Sequence, residues 1–217
     1  MIILKIISCI MAGFILSGIW FGSNLLLNLL FQKNNLPFMM HFITILASIM
    51  PLAIIRIFMG LYPIQINRLT NMWVYVIAVL TVFLTVLIIT QRTARPYREG
   101  KELLLYGLDG VFMEVPQRLM MQSFVFGFLR LLKVSNANYF AIIITAIVWC
   151  LSICVQCLIC KTKFRKDTLW EVLSSFVFSI GIGFVYQQTG FILITMLAHF
   201  SERIFSSLVF NKTQKKD

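Results

Sequence analysis

The chain has 217 residues, 59% of them hydrophobic and 12% charged, with a formal net charge of +11 and a mean hydropathy of +0.89. That balance lies outside the range of soluble domains, and no separate soluble domain is expected. The cations do not point to nucleic acid, because they are spread over short segments between apolar runs rather than gathered on one polar face.

Apolar runs of about 20 residues, the length that crosses a bilayer core, recur seven times, at roughly 3–31, 38–61, 71–90, 109–131, 138–160, 169–187 and 190–210. The first contains Lys5 and Met11-Ala12-Gly13 and continues through Leu30. It is too long for a signal peptide and is expected to remain as a helix. In the second, His41 sits near an interface, where a satisfied or lipid-facing ring is expected. Pro51 is expected to kink that span, and Arg56 to snorkel or find a partner. The third span leads into the polar segment Gln91 to Glu102, which divides the chain into an N-terminal three-helix part, 1–104, and a C-terminal four-helix part, 105–217. Lys101 to Tyr106 reads as a short amphipathic helix along the interface.

Cation placement sets the topology, because Lys and Arg accumulate on the cytoplasmic side. With seven spans, one side carries Lys33, Arg92, Arg95, Arg98, Lys101, Lys161, Lys163, Arg165, Lys166, Lys212, Lys215 and Lys216, and the other only Lys5, Arg68, Arg130 and Lys133. An outside amino terminus and a cytoplasmic carboxyl terminus follow, with anionic lipid as a contact of the basic loops.

The fourth span carries Glu114 and Arg118 with Gln117 and Gln122. A charge at membrane depth costs about 2.5–3.5 kcal/mol on insertion scales, so it persists only with a partner or a purpose. Residues four apart share a helical face, so Glu114 can meet Arg118 directly; Pro116 between them is expected to kink the helix. The last span carries His199, Glu202 and Arg203 on one face. Cross-pairing of Glu114 with Arg203 and of Glu202 with Arg118 would satisfy all four charges, which is the expected structural network. Ser179 and Gly183 in the sixth span are expected to allow close helix packing, and Thr189-Gly190 a tight turn.

Cys150, Cys154, Cys157 and Cys160 form a stripe on the fifth span. A continuous helix does not converge thiols on a metal, so Cys150 and Cys154 read as small hydrophobes, while Cys157 and Cys160 near the cytoplasmic end are candidates for S-acylation. Two histidines are too few for a hydrolytic metal site when arginines compete for the acids. No cofactor is expected. There is no Gly-x-Ser-x-Gly elbow and no phosphate loop, and a transporter is supported by topology alone.

The order of an acidic-Arg helix, an apolar span, a small-xxx-small-xx-Tyr-xx-Thr-Gly turn and a final helix bearing His resembles the CPBP or Abi family, the type II CAAX prenyl endopeptidase fold, over roughly residues 105–210. The resemblance implies an all-α, polytopic bundle of about seven spans with a CPBP-like four-helix core in the C-terminal half. It also implies an intramembrane site in which the first Glu of Glu-Glu-x-x-x-Arg and a His on the next helix activate water, while a His and an Asn on the last helix steady the oxyanion. Here the first Glu is Met113, the region Thr145 to Ile153 has no His, and the Asn position is Arg203. Glu114, Arg118, Tyr186, Thr189, Gly190 and His199 remain. The expected function is therefore that of a catalytically inert relative, a scaffold or regulator of a membrane or cell-envelope partner in a Gram-positive plasma membrane. An active peptidase using Glu114, Arg118 and His199 and a bacteriocin self-immunity protein are the alternatives.

Overall fold

A computed structural model describes residues 2–34, 39, 42–61, 65, 68–93, 97–159 and 166–214, the last four by their backbone alone. His41, Cys160, Arg95, Lys161, Lys163, Arg165, Lys215 and Lys216 lie outside the described residues, as does the side chain of Lys212. Among the described residues there are seven helical rods and no strand. They are α1 (Ile2–Lys33), α2 (Ile43–Phe58), α3 (Met72–Ile89), α4 (100–131, in three consecutive pieces), α5 (Ala137–Ile159), α6 (Lys166–Thr189) and α7 (Ile192–Gln214).

The protein is an all-helical membrane bundle. Five rods, α1, α3, α5, α6 and α7, are long and apolar enough to cross a bilayer; α2 is shorter, at 16 residues. Large apolar side chains such as Leu4, Met50, Phe58, Trp73 and Val79 stand fully outward, which lipid tolerates and water does not. Arg56 is on the exposed face of α2, in its last turn, where its stem can reach the interface.

Two apolar cores hold the rods. One joins α1, α2, α4 and α5 through Cys9, Trp20, Met121, Val125 and Trp149. The other joins α3, α6 and α7 through Val74, Phe178, Ile182 and Ala198. The N-terminal helices thus clothe the C-terminal ones from two sides: α1 packs on α5 and α2, while α3 packs on α6 and α7.

The α4 rod is α-helical over Gly100–Glu114, π-helical over Val115–Gln122 and α-helical again over Ser123–Leu131. It starts well before the expected fourth span, so Lys101 to Tyr106 is the first turn and a half of this rod rather than a separate interfacial helix. At Pro116, where a kink is expected, the rod is π-helical. A proline supplies no N–H and crowds the carbonyl four residues back, and the wider turn accommodates both defects. Where the π stretch ends, the Arg118 carbonyl accepts from the backbone N–H of Ser123 and from its Oγ at 3.4 Å.

Between α1 and α5, Ser17 Oγ and Ser152 Oγ lie 2.7 Å apart. Interhelical hydrogen bonds of this kind average about 0.6 kcal/mol in a membrane protein. Ser17→Ala should therefore lower the thermal unfolding free energy in detergent by about that amount, and a loss above about 2 kcal/mol would show that the contact is not an ordinary one.

Candidate functional site

A polar spine runs along the seam between the two apolar cores. Its centre is Glu114, fully buried. One carboxylate oxygen, Oε2, accepts from Arg118 Nε at 3.1 Å, and the other, Oε1, lies 2.7 Å from His199 Nδ1. The Arg118 guanidinium, also fully buried, donates from Nη1 to Gln122 Oε1 at 3.2 Å and to the Ser179 carbonyl at 3.3 Å. Its Nη2 is buried and has no hydrogen-bond partner among the described residues. Gln122 continues the chain, donating from Nε2 to the Gly183 carbonyl at 2.9 Å and to Gln187 Oε1 at 2.8 Å. Gln187 in turn donates to Asn138 Oδ1 at 3.3 Å.

Small residues make these contacts possible. A Cβ on Gly110 would lie 2.9 Å from both Arg203 Cγ and His199 Cδ2, so glycine there lets α7 come close enough to α4 for His199 to reach Glu114. A Cβ on Gly183 would lie 3.1 Å from Arg118 Nη1 and 3.3 Å from Gln122 Oε1. The expected close approach at Ser179 and Gly183 thus exposes two carbonyls of α6 to the polar groups of α4. Gly190, at φ +66°, ends α6 in the left-handed conformation that glycine adopts without penalty. Thr189 Oγ1 accepts from the Phe191 N–H at 3.2 Å, opening α7. The Thr-Gly pair therefore joins two antiparallel spans and sets the register of His199 against Glu114.

The expected cross-pairing does not form. Glu114 takes Arg118, its own helical neighbour, and His199; Glu202 pairs loosely with Arg203 at 3.8 Å. The physical reason is that Arg118 finds acceptors on α4 and α6, while Arg203 lies one turn beyond His199, where its guanidinium covers the Tyr106 ring at 4.6 Å. Arg98 lies over the same ring at 4.0 Å. Arg203 Nε also donates to His199 Nε2 at 3.4 Å. Since a guanidinium only donates, Nε2 is an acceptor and the ring proton sits on Nδ1, directed at Glu114.

Two cavities flank the spine at opposite ends. The larger, of about 610 Å³, is walled by Met113, Gln117, Trp149, His199, Glu202 and Arg203 among others. The smaller, of about 330 Å³, is lined by Gln65, Arg68, Asn138, Gln187 and Gln188, with Arg68 hydrogen-bonded to Gln188. Residues that the sequence reading did not single out include Tyr106, Asn138, Gln187, Glu171 and the pair Asn24 and Asn28. The last two were visible as polar residues at i and i+4 inside an apolar span, a pattern that marks one shared face.

The arrangement pairs a carboxylate with a guanidinium and an imidazole, and the acid is enclosed by those partners. Met113, at the first-Glu position of the resemblance, and Trp149, in the region of the second motif, occupy the cavity wall instead. Residues 103–205, slightly under half of the chain, match the family model described as Type II CAAX prenyl endopeptidase Rce1-like. No curated protein matches the chain, and no solved structure matches it.

Proposed function

We propose, taking residues 103–205 as a member of the type II CAAX prenyl endopeptidase Rce1-like family that they match, that this multi-pass membrane protein is a catalytically inert relative. Its role is then to bind and regulate another membrane or cell-envelope protein, a cell-wall enzyme or a sensor kinase. One observation carries the reading: His199 has no N–H left for the cavity, since Nδ1 serves Glu114 and Nε2 accepts from Arg203. An oxyanion needs a donor aimed at the developing charge, and the residue that removes it is Arg203, at the family's Asn position. Met113 on the wall cannot take a proton from water. The polar spine then serves to lock α4, α6 and α7 together.

The proposed placement is a bacterial plasma membrane of the Gram-positive type, amino terminus outside and carboxyl terminus cytoplasmic, with the basic loops against anionic lipid. The division into an N-terminal part, 1–104, and a CPBP-like core, 105–217, belongs to the same proposal.

A second reading, an active peptidase, draws on the 2.7 Å contact of Glu114 with His199, a geometry that also suits a base and its orienting partner. Cleavage of prenylated and unprenylated membrane peptides by the purified protein separates the two, with Glu114→Gln as the matched variant. The expected result is no turnover above background in either protein. Turnover in the wild type that Glu114→Gln abolishes would overturn the inert reading. Crosslinking in native membranes, followed by mass spectrometry of the captured partner, identifies what is regulated.

A further inference from the structure

The smaller cavity, of about 330 Å³, lies at the end of the bundle where α4 and α6 finish and α3, α5 and α7 begin. That end of the chain holds no acid. Of the eight acids, Glu114 and Glu202 lie near the middle of α4 and α7, and the others are closer to the opposite end or beyond it. The connections at this end, 59–71, 132–136 and 190–191, contain no Asp or Glu, whereas Arg68 and Lys133 are in them and Arg130 closes α4. With no carboxylate nearby to offset these cations, the local field favours an anion.

The polar spine makes the same cavity an array of donors. A guanidinium only donates, so Arg118 fixes the Gln122 amide with its oxygen toward Nη1, at 3.2 Å. Gln122 then turns its Nε2 to Gln187 Oε1, at 2.8 Å, and Gln187 its Nε2 to Asn138 Oδ1, at 3.3 Å. Each amide passes the same orientation to the next, and the spine ends in the cavity on Asn138 Nδ2, a donor. From the other wall Arg68 donates to Gln188 Oε1, which leaves Gln188 Nε2 as a second donor. Neither amide nitrogen has an acceptor among the described residues. Gln187 is buried at the base of the array, while Arg68 and Asn138 are exposed, so their N–H groups are within reach of a solute.

Donors from three segments with no carboxylate among them complement an oxyanion. The planar fork of Arg68 suits a carboxylate or a phosphate and has N–H groups to spare beyond the one given to Gln188. The volume is at the small end of ligand sites. Ile142 and Phe184 are the wholly apolar side chains of the wall, enough to touch a small body and too few to hold an acyl chain.

We propose that this cavity binds a small soluble oxyanion, a carboxylate or phosphate on a polar body, through Arg68, Asn138 Nδ2 and Gln188 Nε2. The site lies at the far end of the spine from His199 and does not depend on whether the chain cleaves peptides.

Equilibrium dialysis of the full chain in neutral detergent against labelled N-acetylglycine, at fixed ionic strength, tests it. The expected result is saturable one-to-one binding that inorganic phosphate displaces and the neutral N-acetylglycinamide does not. Arg68→Gln should weaken it at least about tenfold. Asn138→Asp, which keeps an acceptor for Gln187 but replaces the donor with a negative charge, should do the same. Arg130→Gln removes an equal charge at the same end from a residue that lies over the Phe126 ring and not on the cavity wall, and should change the affinity by less than about twofold. Displacement by the neutral amide, an equal loss in Arg130→Gln, undiminished binding in Arg68→Gln, or no saturable binding of either anion would each overturn the proposal. The choice of the wild type between acid and amide decides the matter even where a variant does not fold.

Discussion

Arg118→Met is expected to destabilise the bundle by about 3–5 kcal/mol, because it leaves the buried Glu114 carboxylate without its cation. The same change strips a donor from Gln122 and from the Ser179 carbonyl. In detergent this should appear as loss of the monodisperse species or a large fall in the thermal midpoint. Removing both charges tells the pair apart from the packing: Glu114→Leu with Arg118→Met should recover most of the loss, since apolar replacement of a whole buried pair is often neutral or better. Arg118→Lys should not rescue, because an ammonium lacks the planar fork that serves Glu114, Gln122 and Ser179 at once. A loss below about 1 kcal/mol in Arg118→Met would mean that the spine does not hold the helices together.

Gly181→Leu should detach α3 from the bundle. A Cβ at Gly181 would already lie 2.6 Å from Thr81 Cγ2 and 2.9 Å from its Cβ, so no side chain fits while the two helices keep their distance. Thr81 is itself buried and bound to the Ile77 carbonyl, so it has little freedom to swing away. Overpacking of this kind costs about 1–3 kcal/mol and sometimes more. Here it acts on a helix whose packing is against α6 and α7, so the expected readout is increased accessibility of α3 to protease or to a thiol reagent at an introduced cysteine. All three clashing atoms belong to Thr81, which makes the prediction specific: Gly181→Ala alone should destabilise, and Gly181→Ala with Thr81→Gly should recover part of the loss. Unchanged stability in Gly181→Leu would place the α3–α6 contact elsewhere.

Much of the architecture was legible because lipid imposes a simple rule on sequence. Length and hydropathy located the seven rods, although α4 begins at Gly100, earlier than hydropathy indicates, since Lys101 and Glu102 lie on its first turn. The Glu114–Arg118 contact was legible for a different reason. Residues four apart on one helix are neighbours whatever surrounds them.

Contacts between helices were less legible. The cross-pairing expected for Glu114 and Arg203 was chemically reasonable, yet the pair that forms is Glu114 with His199, because Gly110 and the Gly190 turn decide how closely and at what height α7 meets α4. Asn24 and Asn28 show the same limit. Their spacing puts them on one face of α1, but whether that face meets lipid, a neighbour or a cavity depends on which helices α1 packs against.

The sequence by itself determined that this is a polytopic helical membrane protein, and that its fourth helix carries a paired acid and arginine. These properties depend on composition and on the 1.5 Å rise of a single helix. The tertiary structure alone decided that His199 spends both ring nitrogens on Glu114 and Arg203, and that Trp20 to Asn28 of α1 line the same cavity as Met113, His199 and Arg203. Those depend on the register and separation of different rods, which small residues set and which no spacing along one chain encodes.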